Sequence, residues 1–119
     1  MGGYLTSHVL DLVQGKPAAN VHIELRRLDL AAGTHTVLAS VRTNADGRTD
    51  APLLAGEQFT AGTYELVFDV GQYFASQGIE AATPFLGQVP VRFGVSDPEA
   101  HYHVPLLVSP WAYSTYRGS

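Results

Sequence analysis

Two histidines with strand spacing stand near the C-terminal end of the chain. In the stretch HYHVPLLV, His101 and His103 are two residues apart, so in a β-strand both imidazoles project from one face. Histidine titrates close to neutral pH, and such a pair suits general base catalysis. Pro105 shares the face and cannot donate to a ladder, which indicates a sheet edge or an irregular position. The alternative interpretation is a pair of surface or hydrogen-bonded structural histidines.

Two further segments carry residues with the right chemistry. His8 lies in TSHVLDL, and Arg48 follows the Asp46-Gly47 turn of RTNADGR. Taken locally, His8 is an ordinary partly buried histidine and Arg48 a solvated arginine. Arg48 gains a function if the turn aims its planar guanidinium into a pocket, because that group suits anionic or carbonyl-rich ligands. His22 and His35 lie among polar residues and are interpreted as solvated.

His8, His101 and His103 also raise a zinc hypothesis, since three histidines with an open fourth position can form a hydrolytic site. The signal is weak, because spacing in the sequence does not bring His8 to the other two. The chain has no cysteine. That excludes thiolate nucleophiles, thiolate metal sites and disulfides. Gly-x-Ser-x-Gly elbows and phosphate-binding glycine loops are also absent from the sequence.

Alternating apolar and polar residues dominate the chain and predict strands that would position these side chains. The predicted strands cover residues 4–11, 21–30, 35–43, 62–70, 89–95, 101–108 and 112–117, with a short one after Arg48. Only VGQYFASQGIE has a helical pattern, and the Asp46-Gly47 dipeptide predicts a hairpin. Seven or eight short strands with one small helix predict an all-β fold, an antiparallel two-sheet sandwich.

The composition is that of one globular domain. A chain of 119 residues predicts a single domain over 1–119, and 45% hydrophobic with 15% charged residues is globular. The formal net charge of −4 disfavours nucleic acid and anionic membranes as partners. No apolar run is long enough to span a bilayer. The start, MGGYLTSHVL, has no basic region followed by a long apolar one, so a cytoplasmic location is expected.

Three stretches taken together point to a family. LTSHVLDLVQGKPA, TNADGR and HYHVPLLVSPWAYSTYRGS occur in this order and at these separations. With them the chain resembles the 5-hydroxyisourate hydrolases, the transthyretin-related enzymes of urate catabolism, over essentially its full length. The terminal Tyr116-Arg117-Gly118-Ser119 is the most specific part, and it favours the hydrolases over transthyretin itself.

The resemblance implies two four-stranded sheets, a short helix after the fifth strand, and a homotetramer with active sites at the dimer–dimer interface. It implies hydrolysis of a ring amide of 5-hydroxyisourate to 2-oxo-4-hydroxy-4-carboxy-5-ureidoimidazoline, without a metal or another cofactor. The implied catalytic residues are His8, Arg48, His103 and Ser119, and the implied substrate-binding residues are His8, Arg48, Tyr116, Arg117 and Gly118. His103 would be the general base, His8 its partner, and His101 a supporting residue. The alternative function is a transthyretin-like module that binds a small ligand without catalysis.

Overall fold

The computed structural model describes residues 2–118, and these form two β-sheets with a shared apolar core. The strands are β1 (Tyr4–Asp11), β2 (Lys16–Pro17), β3 (His22–Asp29), β4 (Thr34–Arg42), β5 (Leu54–Ala55), β6 (Gly62–Asp69), β7 (Gln88–Val95), β8 (His101–Val108) and β9 (Tyr113–Thr115). The first sheet has the order β2-β1-β8-β9 with β5 also paired to β1, and the second has the order β4-β3-β6-β7. The predicted all-β sandwich is confirmed.

Alternating side chains along the strands separate the core from the outer faces, with out-of-phase burial at Val67 on β6 and Pro105 on β8. On β6, Tyr64, Leu66 and Phe68 are fully buried, as their period-two spacing predicts. On β1, Leu5, Ser7 and Val9 are buried, so Thr6 and His8 between them face outward. One face of each strand therefore lies in the interior of the sandwich, and the opposite face is available for a site on the surface.

The predicted wholly antiparallel arrangement needs one correction. β1 and β8 run parallel, from Tyr4 opposite His101 to Asp11 opposite Val108. Alternation of side chains is the same in parallel and antiparallel strands, so the pattern does not reveal the direction of pairing. The strand count also differs from two sheets of four, because the two-residue strands β2 and β5 both join β1.

The Asp46-Gly47 turn does not form the predicted hairpin between neighbouring strands of one sheet. It follows β4 of the second sheet and packs on β1 of the first, where the N–H of Val9 donates to the carbonyl oxygen of Gly47 at 2.8 Å. Gly47 has a φ of +74°, and a Cβ there would lie 2.5 Å from the carbonyl oxygen of Val9. The glycine is needed both for its backbone angle and for the close approach to β1.

The one α-helix in the described residues, α1 (Val70–Ser76), follows β6 directly. Asp69 caps its first turn by accepting a hydrogen bond from the N–H of Gln72, and Gly78 follows its end with a φ of +85°. The helix is too short to cross a bilayer, and no other helix of residues 2–118 is long and apolar enough to do so.

Candidate active site

Three histidines stand on the outer face of the first sheet. The parallel register of β1 and β8 places Thr6 opposite His103 and His8 opposite Pro105. His101 precedes His103 on the same face, since the intervening Tyr102 is buried. Two strands that are far apart in the sequence thus supply imidazoles to one surface, as the spacing of HYH predicts for its own strand.

The turn before Arg48 carries this arginine to the same surface. His8 and Arg48 form an isolated antiparallel bridge. The side-chain oxygen of Asn44 holds the turn by accepting from the N–H groups of Asp46 at 2.9 Å and Arg48 at 3.2 Å. No ion pair joins the Arg48 guanidinium to a carboxylate within residues 2–118. The guanidinium is therefore available to a ligand.

An open cleft of about 470 Å³ lies beside these groups. Its walls come from β1, β8 and the segment after the turn. They are formed by Thr6, Ser7, Arg48, Thr49, Asp50, Ala51, Pro52, His101 and His103. Such a cleft, with imidazole and guanidinium groups in its lining, can bind a small polar molecule and expose it to a base.

Burial and neighbouring cations favour the neutral form of two histidines. Burial lowers the pKa of His103 below its ordinary value, and the positive charges of Arg48, His101 and His8 lower it further. The pKa of His8 is lowered by burial and by Arg48, although a hydrogen bond to the backbone of Asp46 and the charge of Asp46 oppose this. A neutral imidazole has a lone pair for a proton, so both residues are prepared to act as bases near neutral pH.

One buried nitrogen of the site has no partner among the described residues. The Nε2 of His8 is inaccessible and makes no hydrogen bond within the part of the chain that the structure describes. Buried polar atoms are usually paired, and an orphan at a cleft is a mark of function. The unpaired nitrogen marks His8 as a candidate functional residue.

The C-terminal tail passes along β8. The N–H of Gly118 donates to the carbonyl oxygen of His103 at 2.7 Å, which brings Gly118 to the histidine cluster. The guanidinium of Arg117 instead lies over the ring of Tyr102, with Cζ 4.1 Å from the ring centroid. Arg117 and Tyr116 line a separate groove of about 200 Å³ beside β7. Ser119 lies outside the described residues.

Of the residues predicted for the site, the structure thus brings together His8, Arg48, His103 and Gly118. The side chains of Tyr116 and Arg117 lie in the neighbouring groove of this chain. Sequence reasoning missed Thr6, which lines the cleft between the histidines. For the zinc hypothesis, residues 2–118 contain no group of three or more histidine or acidic residues placed to hold a metal ion.

The two-sheet sandwich places the protein among the transthyretin-like folds. The crystal structure of transthyretin from Sparus aurata superposes with a TM-score of 0.83 at 35% identity, over 96% of this chain and 95% of that one. Residues 5–118 match the profile of the HIUase/Transthyretin family. The chain belongs to this family, as its motifs predict.

Relatives at higher identity carry the name of the hydrolase. The 5-hydroxyisourate hydrolase of Mesorhizobium japonicum is 60% identical over 99% of this chain and 94% of its own length. The crystal structure of (S)-allantoin synthase has a TM-score of 0.91 at 49% identity over 99% of this chain. This chain spans only 44% of that protein, so the likeness concerns one part of it.

Proposed function

We propose that the protein is a hydrolase of 5-hydroxyisourate that opens the six-membered ring at an amide bond and yields 2-oxo-4-hydroxy-4-carboxy-5-ureidoimidazoline. The observation that carries the proposal is the convergence of three distant segments, with Arg48 and His103 lining one cleft and His8 bridged to Arg48 beside it. The identity of 60% to a relative named for this activity supports it.

His103 is the general base in this proposal. Water is a poor nucleophile near neutral pH, and a base with a suitable pKa raises the rate by about 10²–10⁴. Burial and the adjacent cations lower the pKa of His103, so it is neutral where an ordinary histidine is partly protonated. It takes a proton from water as the oxygen attacks the amide carbon, and that proton later leaves with the ring nitrogen when the C–N bond breaks.

Arg48 holds the carbonyl oxygens of the substrate and stabilises the negative charge that develops on the attacked oxygen. Its guanidinium has a planar fork of N–H donors, which matches the edge of a urate-like ring. One such donor contributes roughly 3–4 kcal/mol to the transition state where water is excluded. The same positive charge lowers the pKa of both bases, so Arg48 acts on substrate and catalyst together.

His8 is the partner of His103 and orients water or substrate, and its buried Nε2 has no other partner among the described residues. Gly118 brings the tail to the cluster, Tyr116 and Arg117 complete the substrate contacts, and the Ser119 hydroxyl has the catalytic role of orienting a group or relaying a proton. Because Tyr116 and Arg117 lie in the neighbouring groove of a single chain, their contacts require a tail from another subunit or a different side-chain position. We therefore propose the tetramer with active sites at the dimer–dimer interface as the active form, in the cytoplasm, acting without a metal.

The test is the decay of fresh 5-hydroxyisourate, generated in place from urate by urate oxidase and followed by ultraviolet absorbance. Chelator-treated protein should accelerate the decay well above the spontaneous rate. The variants His8→Gln and His103→Gln should each lose most of this rate, whereas His35→Gln, an exposed residue of β4, should keep it. Decay equal to the blank from folded protein would overturn the proposal and leave a transthyretin-like binding module. Activity lost with the chelator and restored by zinc would overturn the metal-free mechanism.

A further inference from the structure

A threonine hydroxyl joins the two histidines of β8. The Oγ1 of Thr6 is 2.7 Å from the Nε2 of His101 and 2.8 Å from the Nδ1 of His103. The parallel register places Thr6 directly opposite His103, with His101 on the diagonal. Threonine is branched at Cβ and stiff at χ1, so its hydroxyl is held in this position by the strand itself.

The proton count of this bridge restricts the histidine tautomers. A hydroxyl has one proton to donate and two lone pairs to accept with. If the Thr6 hydroxyl donates to the Nε2 of His101, its oxygen accepts a hydrogen bond from the Nδ1–H of His103. That leaves a lone pair on the Nε2 of His103, the nitrogen that does not contact Thr6. If Thr6 instead donates to His103, the Nε2 of His103 carries the proton and cannot act as a base.

The His101 side of this bridge is also held in place. The ring of His101 stacks on the ring of Tyr4, with centroids 4.1 Å apart and an angle of 13° between the planes. Stacking restricts the rotation of the His101 ring, so its Nε2 continues to point at Thr6. The order Tyr4, His101, Thr6, His103 is thus a continuous chain of contacts that ends at the proposed base.

We propose that Thr6 is a positioning residue, supported by His101, which holds His103 in the Nδ1–H tautomer and so presents the lone pair of Nε2 to the substrate. The arrangement does for His103 what a carboxylate often does for a catalytic histidine. It also gives His101 a defined part, since His101 accepts the hydroxyl proton of Thr6. The choice of the Nδ1–H tautomer rests on the proposed hydrolase function, because the bridge geometry allows both tautomers and only this one leaves His103 a lone pair on Nε2.

Nitrogen NMR of the whole protein with ¹⁵N-labelled histidine tests the tautomer without any substrate. Above the titration range of its histidines, the wild type should show a protonated Nδ1 and a bare Nε2 for His103. Thr6→Ser, which keeps the hydroxyl, should preserve this pattern, and Thr6→Val should lose it. Thr36→Val, at an exposed position of β4, is the matched control and should leave it unaltered.

The effects of the same Thr6 variants on catalysis should parallel their effects on the His103 tautomer. Thr6→Val should lower kcat by about 10–100-fold with little change in KM, the usual cost of removing a group that orients a functional histidine. Thr6→Ser should recover most of the loss. An Nε2–H tautomer in the wild type, or a Thr6→Val protein with unaltered His103 signals, would overturn the inference. The expected tautomer in a protein that does not hydrolyse 5-hydroxyisourate would support the inference and overturn the proposed function.

Discussion

The Cα of Gly118 lies against the imidazole of His103. A Cβ at position 118 would lie 2.9 Å from the Cδ2 of His103 and 3.2 Å from its Cβ, closer than carbon atoms pack without a shift. The backbones of the same two residues are joined by a hydrogen bond of 2.7 Å. The glycine of the terminal tetrapeptide is therefore required by the close approach of the tail to the proposed base.

Gly118→Ala should consequently damage activity more than stability. The added methyl group must either rotate the imidazole of His103 or lift the tail from β8. We expect kcat/KM to fall by roughly 10–100-fold, because a displacement near 1 Å can cost about 10² in rate. The ultraviolet assay measures the loss. Gly87→Ala is the control, since its new Cβ would meet only the Cγ of Pro84 at 3.9 Å and should leave the rate intact. A wild-type rate in Gly118→Ala would contradict the required close approach.

Arg48→Gln removes the positive charge that acts on both His8 and His103. The charge lowers the pKa of each imidazole, so its removal should move both values upward. The acid limb of the kcat/KM profile should shift to higher pH, and the maximum rate should fall by about 10²–10³ through loss of the oxyanion donor. Proton NMR titration of the histidine rings and a pH–rate profile check the two effects. A rate loss with unshifted histidine titrations would show that Arg48 acts on the substrate alone.

How much of the fold could be predicted depends on whether a feature is local. Burial of Tyr64, Leu66 and Phe68 follows from alternation along one strand, and the structure confirms it. The parallel pairing of β1 with β8 joins strands from opposite ends of the chain, and no local pattern contains its direction. The Asp46-Gly47 dipeptide correctly predicted a turn with positive φ at the glycine. The strand against which the turn packs depends on tertiary contacts, and the dipeptide contains no information about them.

The same distinction applies to the site. Motif resemblance selected His8, Arg48 and His103, and the structure places all three together. Thr6 was missed because its role comes from the register of β1 against β8, which puts its hydroxyl between two imidazoles. The position of the Arg117 guanidinium over Tyr102 depends on the path of the tail, and a strand pattern contains no information about that path.

The free energy of unfolding should decrease as the pH falls through the range in which the histidines of the unfolded chain gain protons. His8 and His103 have pKa values below the ordinary 6.5, so the unfolded chain binds more protons than the folded chain just below that pH. The free energy of unfolding should therefore decrease as the pH falls through 6.5 and level off below the folded-state values.

Urea denaturation at fixed protein concentration, at about pH 7.5 and about pH 5.5, brackets the ordinary histidine pKa and measures this decrease. The double variant His8→Gln with His103→Gln should show a smaller decrease than the wild type. His35→Gln alters an exposed histidine and should follow the wild type. If the double variant showed the same decrease in the free energy of unfolding as the wild type, the effect would come from other titratable groups.

Tyr73→Phe should destabilise the junction between α1 and the β1–β2 turn. The Tyr73 hydroxyl donates to Oδ2 of Asp11 at 2.7 Å, and Asp11 is only 1% exposed. Oδ1 of the same carboxylate accepts from the N–H groups of Val13 at 2.8 Å and Gln14 at 3.0 Å, so Asp11 ties the turn to the helix. Burial, followed by the hydrogen bond and the charge of Asp11, raises the pKa of Tyr73, which keeps the hydroxyl protonated as the donor.

Loss of this donor leaves a buried carboxylate oxygen without its partner. We expect the free energy of unfolding to fall by about 1–3 kcal/mol, the usual cost of an unsatisfied buried group. Chemical denaturation measures the change. The matched control is Tyr113→Phe, because the Tyr113 side chain is 44% exposed and water can replace any partner of its hydroxyl. Equal stability of the two variants would mean that water also reaches Asp11 when the Tyr73 hydroxyl is removed, and that the helix does not depend on this bond.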